Sequence, residues 1–381
     1  MAIPQQLSLF PKKSTQTVIN GDCLEVMKGM ADNSIDFIVT DSPYGISFMS
    51  NHWDKQIPPA KYWQEMLRIC KPGSHLCCAG LPRMIHRLGC IIEDSGWIIR
   101  DMIMHLFGSG FPKSHNHFRF EGYGTALKPA WEGWILAMKP LDGTFKQNAE
   151  KWGVAGINID ACRIPTDDNR FRKNNIAPGF CGGFSVKNTE NHPQGRWPAN
   201  LILSEEAAAE LDRMTGDKSR YFFIGINITG QEEKKQEINT TKNISKKTEK
   251  ELMQEGEKDI EKERNSFFYC AKASSSERNR GLEGMPLKEL PDHGSEKRIT
   301  CGGGKEGFIP RENTHPTVKP IALMKYIIKL LAPPGSPTLL DPFAGSGSTL
   351  LAAKELDINA IGIELQKEYC EIAQKRLENA I

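Results

Sequence analysis

Two short segments carry side chains whose types and spacing could do chemistry. The first is Asp41-Ser42-Pro43-Tyr44, directly after the apolar, β-branched run 35–40 (IDFIVT). A buried strand that stops at a proline-containing turn delivers its next side chains to the carboxyl end of a sheet, where open α/β sheets bind ligands. An aromatic amine is a poor nucleophile because its lone pair is delocalised into the ring. A carboxylate and a backbone carbonyl that accept its two hydrogens push electron density back onto nitrogen. Asp41 supplies such a carboxylate, Ser42 a carbonyl, and Tyr44 a face on which a planar base can stack, worth ~1–3 kcal/mol per base. Taken alone, the tetrapeptide is as compatible with an ordinary strand-to-turn junction.

The second segment is Asp341-Pro-Phe343-Ala-Gly345-Ser-Gly347-Ser-Thr349, between a short apolar strand and a helix. Small residues there let a ligand approach the backbone, and the helix start offers free N–H groups and the positive end of a dipole. The glycine order is neither that of a dinucleotide loop nor that of a phosphate loop ending in Gly-Lys-Ser/Thr. Glu364 closes the following strand, where a carboxylate can accept hydrogen bonds from both hydroxyls of a ribose. Together the loop and the acid point to an adenosine-containing cofactor. Separately, each is compatible with a structural turn or a capping acid.

The combination resembles a known family. Asp41–Tyr44 is similar to the Asp/Asn/Ser-Pro-Pro-Tyr/Phe motif of amino-group DNA methyltransferases, and Asp341–Thr349 to their Phe-x-Gly-x-Gly loop; His315-Pro-Thr317-Val-Lys319-Pro320 also matches a family segment. The order resembles the permuted, β-type group of bacterial and prophage members, in which the catalytic motif comes first and the cofactor loop last. The likeness covers residues 17–138 and 267–377, and stretches 108–116, 196–200 and 267–273 share it. It implies a doubly wound, Rossmann-like α/β sheet, S-adenosyl-L-methionine as cofactor and double-stranded DNA as substrate. The implied reaction methylates the exocyclic amino group of a flipped base in a restriction-modification setting. A leading acid leans towards adenine N6, with cytosine N4 as the alternative. Asp41, Ser42, Pro43 and Tyr44 are then catalytic, and Asp341, Phe343, Gly345, Gly347 and Glu364 bind cofactor, with Phe343 packed beside it. Asp22 is expected near the cofactor adenine, and Thr317 and Lys319 near its methionine end. One residue departs from the pattern: Ser42 stands where the family usually has proline. Pro43 still confines Ser42 to extended backbone angles, so its carbonyl stays aimed. None of the ten cysteines sits in a Pro-Cys setting, which disfavours covalent attack on a cytosine ring carbon. The rival readings are an RNA or protein-amide methyltransferase and a non-catalytic cofactor-binding protein.

The elements that must position these residues alternate along the chain. After the strand at 35–40 the spacing predicts helix 60–70, stopped by Lys71-Pro72-Gly73, strand 74–79, helix 83–94, and strands 97–107 and 133–138. Near the C-terminus it predicts helix 321–331, strand 338–340, helix 348–356, strand 360–363 and helix 368–379. Such alternation implies crossover connections and a parallel sheet. One catalytic domain is therefore expected from residues 17–140 and 315–381, after a polar tail at 1–16. The segment 141–314, rich in Gly, Pro, Asn and charge, is expected to be an irregular target-recognition region with a mobile charged insertion at about 231–265. Arg163, Arg170, Arg172, Lys173 and Arg196 in it read equally as nucleic-acid contacts or as solvated surface.

Composition is that of an ordinary soluble enzyme, with 39% hydrophobic and 25% charged residues, and a net charge of +2 gives no global basic field. No apolar run approaches the ~20 residues of a bilayer span, and no signal-peptide core opens the chain, so the cytoplasm is expected. His115 and His117 lack a partnering cluster, and no metal is expected. Gln6, Leu7, Leu9 and Phe10 resemble the peptide by which bacterial DNA enzymes hook onto the replication sliding clamp.

Overall fold

Strand β2 (Ile35–Thr40) is buried on both faces because its side chains alternate between two cores. Phe37 and Val39 pack on one side with Ile327 and Leu350, while Ile38 packs on the other with Trp63 and Met66. A strand covered on both faces needs a near-continuous apolar run, as this sequence has. The structure, a computed structural model, describes residues 14–46, 54–107, 122–124, 127–164, 195–216, 218, 222–224, 273, 275–286 and 312–379.

Among the described residues nine strands form one sheet. In chain order they are β1 (Gln16–Asn20), β2, β3 (Cys70–Gly80), β4 (Ile98–Leu106), β5 (Trp131–Met138), β6 (Leu201–Leu203), β7 (Phe223–Ile224), β8 (Thr338–Asp341) and β9 (Asn359–Glu364). Their spatial order is β1-β9-β8-β2-β3-β5-β4-β6-β7. The helices in chain order are α1 (Cys23–Lys28), α2 (Ala60–Ile69), α3 (Ile85–Asp94), α4 (Phe145–Trp152), α5 (Glu205–Thr215), α6 (Ser275–Asn279), α7 (Ile321–Leu331), α8 (Ser348–Glu355) and α9 (Lys367–Asn379).

The order of β8 and β2 positions the site. From β2 the chain crosses by α2 to β3 on one side, and from β8 it crosses by α8 to β9 on the other. Crossovers of one hand then place α2 and α8 on opposite faces, as the two core clusters show: Trp63 and Met66 lie in one, Leu350 and Leu351 in the other. This is a topological switch point, the place where open α/β sheets form a ligand crevice at the strands' carboxyl ends.

Two expectations need correction. The sheet is mixed rather than parallel: β5 runs antiparallel to both β3 and β4. Strands β4 and β5 follow each other in the chain and are neighbours in the sheet, an arrangement that permits antiparallel pairing, which the alternation read from the rest of the sequence did not announce. Regular structure also reaches into the segment expected to be irregular. There β6 and β7 extend the sheet in parallel beside β4, and α4 and α5 are well-capped helices. Strands of three and two residues are too short to show a period, so the sequence pattern passes over them.

Several expectations fall outside the described residues: the clamp-like peptide with Gln6, Leu7, Leu9 and Phe10, His115 and His117, Arg170, Arg172 and Lys173, and the insertion at 231–265. Among the described residues no helix is long and apolar enough to cross a membrane.

Candidate active site

The carboxyl ends of β2 and β8 lie side by side, with Phe37 opposite Leu339 and Ile38 opposite Leu340. Adjacent strand ends bring the two sequence segments together although 300 residues separate them in the chain. Thr40 Oγ1 donates to Asp341 Oδ1 at 2.7 Å, tying the last residue of one strand to the last of the other.

Asp41 and Tyr44 belong to a four-residue cluster. The Tyr44 hydroxyl lies 2.7 Å from Asp41 Oδ1 and 2.7 Å from Glu132 Oε1. Lys319 Nζ donates to that hydroxyl at 2.8 Å and pairs with Glu132 Oε1 at 2.5 Å and Asp41 Oδ2 at 3.3 Å. The ammonium also sits over the rings of Tyr44, at 5.5 Å, and Trp134, at 5.8 Å. One tyrosine hydrogen serves two carboxylates, so the groups hold their protons jointly.

Burial decides how the cluster titrates. It pushes the Asp41 carboxyl above its usual range, and the Lys319 charge offsets that only in part. Burial would also raise Glu132, but the closer Lys319 ammonium brings it below the ordinary glutamate value. Lys319 itself is pulled down by burial and more than restored by the two carboxylates, so it stays charged. Burial and both acids hold the Tyr44 phenol well above its normal value.

The rest of the tetrapeptide is held from outside it. Buried Asp54 Oδ1 accepts the backbone N–H groups of Tyr44, at 2.6 Å, and Gly45, at 3.0 Å. Ser42 is buried, and Cys78 Sγ on β3 donates to its hydroxyl at 3.4 Å. Pro43 lies between them, partly buried.

The loop after β8 is shaped by glycine and by a buried histidine. Gly345 has φ +52°, and a Cβ there would lie 2.7 Å from His315 Nε2. His315 accepts the Thr317 N–H on Nδ1 at 3.3 Å and packs edge-on against Tyr369, with centroids 4.6 Å apart. Burial, reinforced by Arg278, lowers its pKa to about 3, so the ring is neutral. Gly347, at φ +78°, caps α8 where a Cβ would meet Ala373 at 2.9 Å. Asp341 accepts the Phe343 N–H at 3.1 Å as well as the Thr40 hydroxyl, and burial raises its pKa to about 6.

Glu364 ends β9 beside this loop. One oxygen accepts the Gly345 N–H at 2.9 Å and the other the Gln366 N–H at 2.7 Å, with the Leu365 N–H also turned to the carboxylate, and burial raises its pKa. A carboxylate has about four lone-pair sites, so acceptor capacity remains for a hydroxyl donor, which suits a ribose. Asp22 caps α1 by accepting the Leu24 N–H at 2.8 Å, and the ring of Tyr62 stands 6.4 Å from that of Phe343. The structure thus gathers Asp41, Ser42, Pro43, Tyr44 and Lys319 at one end of the crevice. Asp341, Phe343, Gly345, Gly347 and Glu364 form the loop beside it. Thr317 contributes its N–H to His315, and the Lys319 ammonium lies in the Asp41–Tyr44 cluster.

Sequence reasoning missed Glu132 and Asp54. Glu132 had a signal, an acid at the start of the otherwise apolar strand WEGWILAM; Asp54 had none, because its partners are backbone groups.

Residues 35–375 match the model that defines the N6/N4-type DNA methylase family. The chain is 41% identical over 92 residues to the type II methyltransferase M2.DpnII of Streptococcus pneumoniae, covering 24% of this chain and 34% of that protein. It is 41% identical over 115 residues to M.HinfI of Haemophilus influenzae, covering 29% and 32%. The aligned stretch thus spans about a third of the length of these relatives. Among solved structures, the PvuII DNA methyltransferase (cytosine-N4-specific) aligns over 96% of this chain and 89% of its own, at 13% identity and a TM-score of 0.46. With nine-tenths of its length matched by one family model, the chain belongs to the N6/N4 DNA methylase family.

Proposed function

We propose that the protein methylates the exocyclic amino group of a base in double-stranded DNA, with S-adenosyl-L-methionine as methyl donor and adenine N6 as the preferred target. The observation that carries this is the junction of β2 and β8, where the Asp41–Tyr44 acceptors and the Asp341–Thr349 loop meet across the Thr40–Asp341 hydrogen bond. The loop fits the cofactor. Glu364 offers a carboxylate, Gly345 and Gly347 let the loop turn tightly against His315 and Ala373, and Phe343 and Tyr62 supply apolar ring surface. When bound, the cofactor supplies an electrophilic methyl group on a sulfonium.

The chain's own residues then prepare the amine. A target nucleotide leaves the duplex at a cost of a few kcal/mol, offset by stacking on Tyr44. Asp41 and the Ser42 carbonyl accept the two amino hydrogens, which localises the lone pair on nitrogen. Asp54 fixes the turn that carries Tyr44, so these acceptors are in place before the base arrives. Nitrogen gains the methyl group, and one amino hydrogen leaves as a proton to solvent. The preference for adenine rests on the leading acid of the tetrapeptide. The segment 141–314 is the region to which target recognition is assigned. In it Arg163, paired with Asp160, stands over the exposed ring of Trp197 at 5.4 Å.

The test is transfer of labelled methyl from S-adenosylmethionine to unmethylated duplex DNA, beside Asp41→Ala, with mass spectrometry of the nucleosides. N6-methyladenine from the wild type, absent with the variant, is the expected result, and N4-methylcytosine would move the target base. Cofactor binding with no label in DNA, but label in RNA or protein, would overturn the assignment.

A further inference from the structure

Glu132 has no place in either motif, yet it makes the shortest contact in the cluster. It lies on β5, opposite His105 of β4, and is largely withdrawn from solvent with its carboxylate aimed at Lys319 and Tyr44. An acid is rarely buried unless it is paired, and burial here would be unfavourable without a task for the charge. Lys319 is the only ammonium bonded to it among the described residues, and that ammonium is shared unequally: 2.5 Å to Glu132 against 3.3 Å to Asp41. An ammonium fully docked on Asp41 would occupy the lone pairs that an incoming amino group needs.

We infer that Glu132 is a positioning residue that holds Lys319 off Asp41, leaving the Asp41 carboxylate open to the target amine. This deepens, and rests on, the methyltransferase reading of the same site. The Glu132 carboxylate draws the ammonium towards β5 and takes one contact to the Tyr44 hydroxyl, which helps to hold the tyrosine ring. Its negative charge also acts on Asp41 directly, raising its proton affinity. The other groups facing Asp41 are Lys319, the Tyr44 hydroxyl, Asp341 and Cys78; those facing Glu132 are Lys319, Tyr44 and the buried imidazole of His105. Removal of the Glu132 charge therefore has a direction that a packing role alone does not share. The lysine moves onto Asp41, and Asp41 holds its proton less tightly.

Glu132→Gln keeps the size and the hydrogen-bonding capacity while it removes the charge; Glu132→Asp keeps the charge. The ligand-free full chain, labelled at aspartate 13Cγ and assigned by difference against Asp41→Asn, gives the Asp41 titration midpoint directly. The expected midpoint in Glu132→Gln is lower by about 1 pH unit or more, with Glu132→Asp close to wild type. Methyl transfer measured alongside should lose about tenfold to a hundredfold in kcat, the scale of a catalytic group misplaced by about 1 Å, and its acid limb should move down with the midpoint. An unshifted midpoint in Glu132→Gln overturns the inference, whatever the activity. A lowered midpoint in Glu132→Gln, together with a wild-type chain that binds cofactor but methylates no DNA, supports the charge arrangement and refutes the function assigned to it. If Glu132→Gln lacks a cooperative unfolding transition, Glu132→Met takes its place as the charge-free variant, and an Asp41 midpoint there equal to that of the wild type overturns the inference.

Discussion

Replacing Lys319 by methionine removes the positive charge that, among the described residues, is bonded to both Asp41 and Glu132, and keeps the length of the stem. At 3.3 Å and an effective dielectric of ~20, Coulomb's law gives about 5 kcal/mol for the Lys319–Asp41 pair. Residual exposure of 14% for the lysine and 19% for the aspartate screens part of that. Half of it, about 2.5 kcal/mol, still corresponds to about two pH units in the Asp41 pKa. The sign follows from the charges. Burial already raises Asp41, Lys319 opposes that rise, and without the lysine Asp41 and Glu132 face each other around one hydroxyl. Two carboxylates so placed do not both ionise, so a proton stays on the site at neutral pH. A protonated Asp41 accepts amino hydrogens poorly, so the acid limb of kcat should move to higher pH and activity should recover as the pH is raised. The assay is single-turnover methyl transfer from pH 5 to 10, for wild type and Lys319→Met, with cofactor affinity measured at each pH. Stability should fall as well, because loss of one partner from a buried pair is worth about 3–5 kcal/mol. A folded Lys319→Met protein with an unmoved acid limb would refute the assignment of Lys319 as the group that keeps Asp41 ionised.

Other consequences are simpler. Asp341→Asn should stabilise the ligand-free protein at pH 7–8: a carboxyl whose folded pKa is raised to about 6 weakens the fold above that pH, and the weakening disappears as pH falls towards the unfolded value near 4. Urea unfolding at pH 4 and pH 7.5 checks this, and a gain that is equal at both would exclude the titration of Asp341 as its cause. Gly345→Ala forces a side chain into a left-handed backbone and against the His315 ring, so about 1–3 kcal/mol of stability should be lost and cofactor affinity should drop. Calorimetric titration with S-adenosylmethionine showing wild-type affinity would contradict it. Asp54→Ala strands the N–H groups of Tyr44 and Gly45, so kcat should fall while cofactor affinity stays constant; a change confined to cofactor affinity would place Asp54 on the wrong side of the crevice.

What could be read from the sequence follows the range of the forces involved. The run 35–40 and the strand ending at Asp341 announce themselves because both faces are buried and every position must be apolar or nearly so. The Asp341–Thr349 loop is legible because the tight approach of His315 and Ala373 admits only glycine at two positions. Helix α4 carried a local signal that was passed over, the reciprocal Thr144–Gln147 capping box. Sheet order is another matter, since nothing local distinguishes a strand that continues a parallel sheet from one that returns between two neighbours. The insertion of β5 between β3 and β4 is what carries position 132 to the mouth of the crevice.

The same non-local step explains why Lys319 is only half legible. Its place in the segment before α7 aligns it with cofactor-side residues, and Thr317 does turn to His315 beside the loop. The ammonium, however, reaches past the loop to the β2 end, drawn by two carboxylates that come from strands on either side of β3. A lysine anchored in the cofactor segment and bonded to Asp41 connects the two halves of the site. Displacement of the cofactor loop must then change the charge felt by Asp41, because the backbone that carries Lys319 also carries His315, whose ring rests against Gly345. If the loop shifts when S-adenosylmethionine binds, cofactor binding and the proton affinity of the base-side acceptor are linked through that segment. By reciprocity, the affinity of the wild-type protein for S-adenosylmethionine should depend on pH across the Asp41 titration, and that dependence should vanish in Asp41→Asn.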